Sequence, residues 1–136
     1  MARIVLTNAL VTVNAVDLSD YVASVTLNSS IDVVETTAFS STAARTRIGG
    51  LADNSISLEF HQDYASGEVE ATIYPLLGTV TTVTVKPVNT ATSASNPLYT
   101  ASALVSEWTP LNGAVGELAT ASVTWPVSGA IVKTTA

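Results

Sequence analysis

The only histidine, His61, stands in the run Phe60-His61-Gln62-Asp63-Tyr64, where an imidazole and a carboxylate two positions apart could form half of a catalytic or metal-binding pair. A zinc site needs three or four convergent nitrogen, sulfur or oxygen ligands, and the chain has no cysteine to supply a thiolate, a disulfide or a cysteine nucleophile. A Ser-His-Asp triad is defined by geometry, so sequence order leaves one open, but no Gly-x-Ser-x-Gly elbow supports it. The plainer reading is a polar strand residue. Glu68 and Glu70, two apart, would face different sides of a helix, which is wrong for two carboxylates sharing a substrate and right for charge at a helix N-terminus. Gly49-Gly50 lacks the Lys-Ser or Lys-Thr that a phosphate cradle requires, and reads as a hinge or turn. Trp108 and Trp125 read as core or interface anchors rather than ligand platforms. The expectation is a protein that is not an enzyme and that takes no cofactor and no metal.

Charge narrows the partners. Eleven acidic residues stand against five basic ones, a formal charge of −6, and three of the bases (Arg3, Arg45, Arg47) fall early, leaving only Lys86 and Lys133 beyond them. Gripping nucleic acid through its phosphates takes several clustered cations, so direct binding of DNA or RNA is not expected. Charged residues make up only 12% of the chain and hydrophobic ones 47%, the opposite of a disordered composition. Much of the surface must then be uncharged, which favours association. No apolar run reaches the length of a membrane span, and Asn8 and Asn14 interrupt the N-terminal apolar stretch in a way unlike a secretory leader.

The elements that carry these residues are mostly strands, because Val, Ile and Thr recur with a period of two. The pattern predicts strands over Arg3–Thr7, Leu10–Val16, Val22–Ser29, Asp32–Thr37, Ser55–Gln62, Val80–Val88, Leu98–Thr109 and Leu118–Val127, with a short one over Ala130–Thr134. In the fifth, Ile56, Leu58 and Phe60 alternate with Ser57, Glu59 and His61, so one side is core and the other is wet. Ser66–Leu77 instead repeats Val69, Ile73 and Leu76 or Leu77 at helical spacing. Ser66 is the expected cap, and Pro75 and Gly78 the stop. Ala38–Asn54 and Asn89–Pro97 read as loops, the first longer than a connector needs to be. Asn112–Gly116 reads as the hairpin joining the last two long strands. The chain reads as one domain, residues 1–136. It is mainly β, an antiparallel sandwich or barrel with one short flanking helix and a long early loop.

Several stretches resemble tail tube proteins of long-tailed bacteriophages. They are Val34–Phe39 (VETTAF), Arg45–Leu51 (RTRIGGL), Phe60–Tyr64 (FHQDY) continuing through the helix to Leu77-Gly78, Asn96-Pro97, and Gly116–Gly129 (GELATASVTWPVSG). The resemblance implies a subunit that assembles with itself into hexameric rings stacked as a tube, with other phage tail proteins as further partners. DNA would pass through without specific binding, and no membrane is involved. The place would be the virion tail, after synthesis in the bacterial host cytoplasm. The long early loop would meet the neighbouring ring through Phe39, Arg45, Arg47, Ile48, Gly49, Gly50 and Leu51, and would order only on assembly. Edge-to-edge pairing around a ring would also cover the open edges of a sheet.

Six copies at −6 each would make the bore acidic, so that DNA phosphates slide rather than stick. Asp32, Glu35, Glu59 and Glu107 are the candidates to face that bore, and His61→Ala is expected to leave assembly intact. The alternative is a capsid decoration or other virion surface protein. A β-sandwich enzyme or sugar-binding module also stays open, because fold does not fix function.

Overall fold

Period-two alternation of β-branched residues builds a sandwich of two antiparallel sheets. The computed structural model describes residues 3–39 and 42–136. The strands are β1 (Leu10–Val13), β2 (Val16–Asp17), β3 (Val22–Glu35), β4 (Arg47–His61), β5 (Val80–Lys86), β6 (Leu98–Leu104), β7 (Thr120–Pro126) and β8 (Val132–Thr134). One sheet has the order β2-β1-β5-β6-β8 and the other β3-β4-β7. Their inner sides share one core of Val11, Val13, Ile56, Leu58, Phe60, Val83, Ala103, Val123 and Trp125. Trp125 is fully buried, and truncating such a ring to alanine costs about 3–5 kcal/mol. At one seam the sheets are stitched by the Ala103–Val127 bridge and by Ser128 N–H donating to the Ser102 carbonyl at 2.7 Å.

The helix falls where its spacing predicts, but it is shorter. α1 covers Val69–Ile73, and Val69 and Ile73 are the residues it buries. Glu68, not Ser66, occupies the cap position, without a side-chain capping bond. Pro75 then tightens Tyr74–Leu76 into a 3-10 turn.

Six expectations about strands and loops need correction. Arg3–Thr7 is not a strand. Leu10–Val16 is two strands, because Asn14 and Ala15 both take positive φ (51° and 65°) and turn the chain between Val13 and Val16. Val22–Ser29 and Asp32–Thr37 are one continuous strand, β3, in which Asp32 stands opposite a bulge of two residues, Gly50 and Leu51, on β4. The predicted strand Leu98–Thr109 ends at Leu104, so Trp108 lies on the crossover. Asn112–Gly116 is a turn within that crossover rather than a hairpin, because β6 and β7 belong to different sheets.

The sixth correction is the largest. Of the predicted Ala38–Asn54 loop, residues 47–54 belong to β4 and pair rung by rung with β3, from Glu35↔Arg47 to Ser29↔Asn54. Gly49 and Gly50 do not form a hinge. They are strand residues at the bulge itself, where a Cβ on Gly50 would come within 2.8 Å of Val34 Cγ2 and one on Gly49 within 3.2 Å of Ile31 Cγ2. Ser40 and Ser41, inside the predicted loop, lie outside the described residues.

Candidate functional site

The residues that could have done chemistry are dispersed or already engaged. His61 is half-buried on the outer side of β4 opposite Thr120, while Asp63 Oδ1 accepts the Ala65 N–H at 2.9 Å. Among the described residues no three His, Asp or Glu side chains group so as to hold a metal. Glu70 accepts the Trp108 indole N–H at 2.6 Å, and the Trp108 ring meets Phe60 edge-on at 5.7 Å and 71°. The Trp125 indole donates to the Glu107 carbonyl at 2.9 Å. Hydrogen bonding from Glu68, and after it from Asp63, holds the Tyr21 hydroxyl proton well above the usual tyrosine range. These carboxylates act as acceptors that fasten the helix and the crossover to the sandwich.

What remains is surface, and two parts of it are distinctive. The first is the outer side of the three-stranded sheet. The register aligns Ser24 with Glu59 and Ser122, Thr26 with Ser57 and Thr124, and Asn28 with Ser55 and Pro126, while the alternate residues point into the core. Ser57 and Thr124 hydroxyls are 3.1 Å apart. Glu59 and Glu107 both line a shallow depression of about 250 Å³ on this side. From the Ser30–Asp53 rung to the His61–Thr120 rung, the outward positions carry hydroxyls, one amide, carboxylates, one imidazole and the Pro126 ring, but no lysine or arginine.

This sheet has two outer strands, β3 and β7. On the β7 edge, Glu107 Oε1 accepts the Thr124 N–H at 2.8 Å, so a side chain occupies a position that another strand could take. Sequence reasoning proposed Glu107 as an acid but missed this role, since the signal is a contact between residues 17 apart.

The second surface is an arm, the far ends of β3 and β4 with their connection at 36–46. Thr36 N–H donates to the Thr46 carbonyl at 2.8 Å, and the two hydroxyls lie 2.9 Å apart. Glu35 meets Arg45 at 3.1 Å, an exposed ion pair that contributes little to stability. Arg45, Arg47, Ile48, Gly49, Gly50 and Leu51 all lie on this arm, with Phe39 fully exposed on the connection. Asp32 and Glu35 are here too, apart from Glu59 and Glu107, so the four acids do not form one cluster. Following the register outward, Ile31, Val33 and Ala52 continue the core side of the sheet beyond the sandwich, where Ile31 is 53% and Val33 69% exposed, while Asp32, Val34 and Ile48 share the opposite side.

Among the described residues no helix is long and apolar enough to cross a membrane. No protein-family model matches the sequence, and no curated protein matches it. Solved structures do resemble the fold. A chain of the virion of a native gene transfer agent particle superposes with a TM-score of 0.74 at 14% identity, over 93% of this chain and 95% of that one. A chain of the tail of an empty gene transfer agent particle, solved with C6 symmetry, gives 0.66 at 17% identity over 85% and 83%. A chain of the sheath–tube complex of an extracellular contractile injection system in its extended state gives 0.70 at 13%, over 98% and 93%. The chain thus has the fold of components of phage-tail-like assemblies.

Proposed function

We propose that this protein is a non-catalytic structural subunit of a phage-tail-like tube, of the long-tailed phage type. It is made in the bacterial host cytoplasm and resides in the virion tail. Copies join side by side through the outer strands β3 and β7 into rings, with Glu107 yielding the Thr124 N–H to the neighbour, six to a ring, in keeping with the C6 symmetry of one tail whose chain is similar in fold. Rings stack, and the arm carrying Phe39, Arg45, Arg47, Ile48, Gly49, Gly50 and Leu51 makes the contact between them. The partners are other copies and other tail proteins.

The observation that carries this reading is the outer side of the three-stranded sheet, a hydroxyl surface with Glu59, Asp53 and Glu107 and no lysine or arginine, between the two outer strands β3 and β7. Turned to the bore, it repels DNA phosphates and offers no cation for counterion release, so DNA passes without being held. Asp32 and Glu35, on the arm, add negative charge near the ring boundary.

Electron microscopy of the purified protein should show tubes or six-fold rings. In tubes of a Glu59→Cys variant, a small maleimide should label the thiol while a maleimide coupled to a bulky protein should not. In tubes of a Ser102→Cys variant, whose thiol is on the outward side of β6, both reagents should react. A protein that stays monomeric at high concentration, or equal labelling of both positions by the bulky reagent, would refute the reading.

A further inference from the structure

The arm has a counterpart at the other end of the same sheet. β4 runs 15 residues from Arg47, on the arm, to His61, a separation of roughly 45 Å. Past His61 the chain is tied to the crossover. Gln62 N–H donates to the Ala119 carbonyl at 2.9 Å, and the Gln62 side-chain amide and the Tyr64 hydroxyl donate to the Pro110 carbonyl at 3.1 and 2.7 Å. Thr120 N–H closes the crossover turn by donating to the Asn112 carbonyl at 3.2 Å. This turn holds Leu111, Val115 and Leu118, all exposed, and Glu117 next to Leu118 is exposed and has no ion pair among the described residues. Apolar side chains concentrated in this way on one exposed turn favour association.

Charge differs between the two ends. Asp20, Asp63, Glu68, Glu70 and Glu117 lie at the end of the turn, whereas Arg45 and Arg47 lie on the arm, and Lys86 and Lys133 line a groove of about 510 Å³ against the middle of β3. The arm itself has two unlike sides. Ile31, Val33 and Arg47 share one, and Arg47 has no ion pair among the described residues, since Glu35 holds Arg45. Asp32, Val34 and Ile48 share the other, where the carboxylate would be repelled by an acidic surface. The side of Arg47 is therefore the one that suits the turn. The two cannot meet within one molecule, because β3 and β4 run without reversal between them. Complementary surfaces at opposite ends of one molecule join copies head to tail, which is the arrangement that propagates an assembly.

We propose that the crossover turn receives the arm of a second copy, with Ile31 and Val33 of the arm against Leu111, Val115 and Leu118 and with Arg47 meeting Glu117. This rests on the self-assembly reading and names the surface on which the arm lands. The apolar contacts supply affinity, and the charge pair sets register and orientation. Each contact is small, so a free subunit holds its neighbour weakly, whereas a ring engages all of its arms together.

The absence of native cysteine makes the test direct. Val33→Cys protein and Leu118→Cys protein, one carrying a size tag, are mixed, assembled and oxidised. A disulfide between the two different variants is expected, and it can only be intermolecular. In parallel, Arg47→Glu and Glu117→Arg should each lower the sedimenting fraction roughly tenfold by placing like charges together, and both in one chain should restore it to within about twofold. Rescue separates the contact from a mere loosening of the arm, which a change at the far end of the sheet does not repair. Both positions are exposed, so thermal melting of the variants should match the parent. Disulfides only between like variants, single reversals that sediment like the wild type, or no rescue by the double exchange would overturn this proposal and leave self-assembly standing. A wild-type protein that does not associate at all would overturn both.

Discussion

At the residue scale, the molecule carries local strain in one turn and local charge in one corner, and each gives a measurable expectation. Ala15 holds φ 65° between β1 and β2, a conformation that places Cβ against the following carbonyl, and a two-residue turn of this kind favours glycine there. Ala15→Gly should therefore raise stability by about 1 kcal/mol, or about 3 °C in Tm by calorimetry, after the extra entropy that glycine loses is counted. An unchanged or lower Tm would show that the turn is relaxed. The second case is Tyr21, whose hydroxyl is bound by Glu68 and Asp63. Its folded pKa is raised above the unfolded value near 10, so its contribution is fully present below pH 10 and is lost as pH climbs further. Urea midpoints should accordingly fall more steeply above pH 10 in wild type than in Tyr21→Phe, which should be the less stable of the two at pH 7. Parallel curves would remove Tyr21 as the cause.

At the scale of elements, the arm decides most of what the sandwich can do beyond standing folded. Gly50 lies in the bulge with Val34 Cγ2 2.8 Å from where its Cβ would be, so Gly50→Val should push Val34 aside and break the arm surface that Asp32, Val34 and Ile48 share. Since none of the buried core lies on the arm, melting should stay close to wild type while tube formation fails in electron micrographs. Removing matched rungs, residues 33–36 together with 46–49, should have the same outcome, and tubes from either variant would show that the arm is not an assembly element. The sequence made the strands of the sandwich and the helix legible, because Ile56-Leu58-Phe60 and Val69-Ile73 keep their periods on a surface that is half buried. It did not make the arm legible, and the reason is physical. Where both sides of a hairpin meet solvent, no alternation is imposed, and Val33-Val34 beside a glycine pair looks like the end of one strand and the start of a loop. The crossover was equally hidden, since the turn at Asn112–Gly116 is local chemistry whereas the sheet to which β7 returns is set by its pairing with β4. Buried Asn96 shows the same limit from the other side. Its side chain organises the second loop by accepting from the Val88 N–H at 3.1 Å and donating to the Val88 carbonyl at 2.9 Å, bonds that composition cannot announce.

At the scale of the whole molecule, eleven acids and five bases are distributed so that four of the bases lie away from one surface. Lys86 and Lys133 flank the groove, Arg45 and Arg47 lie on the arm, and the outer side of the three-stranded sheet is left to hydroxyls and carboxylates. A net charge of −6 alone would keep DNA from binding tightly anywhere, but only the segregation makes one surface inert toward it at short range. The consequence can be tested by reversing that surface without touching the fold. Glu59 and Ser122 are exposed neighbours on one rung, so Glu59→Lys with Ser122→Lys replaces a carboxylate and a hydroxyl by two cations per copy, repeated around every ring. Melting should change little, since exposed substitutions of this kind usually stay within about 0.5 kcal/mol, and tubes should still form. A short duplex DNA should then cosediment with variant tubes at 50 mM salt and be released by 200 mM, because each phosphate neutralised adds to the salt slope. Wild-type tubes should retain none at either salt. Retention by the wild type, or a variant whose tubes hold no more DNA than the parent, would show that this side of the sheet does not face the bore.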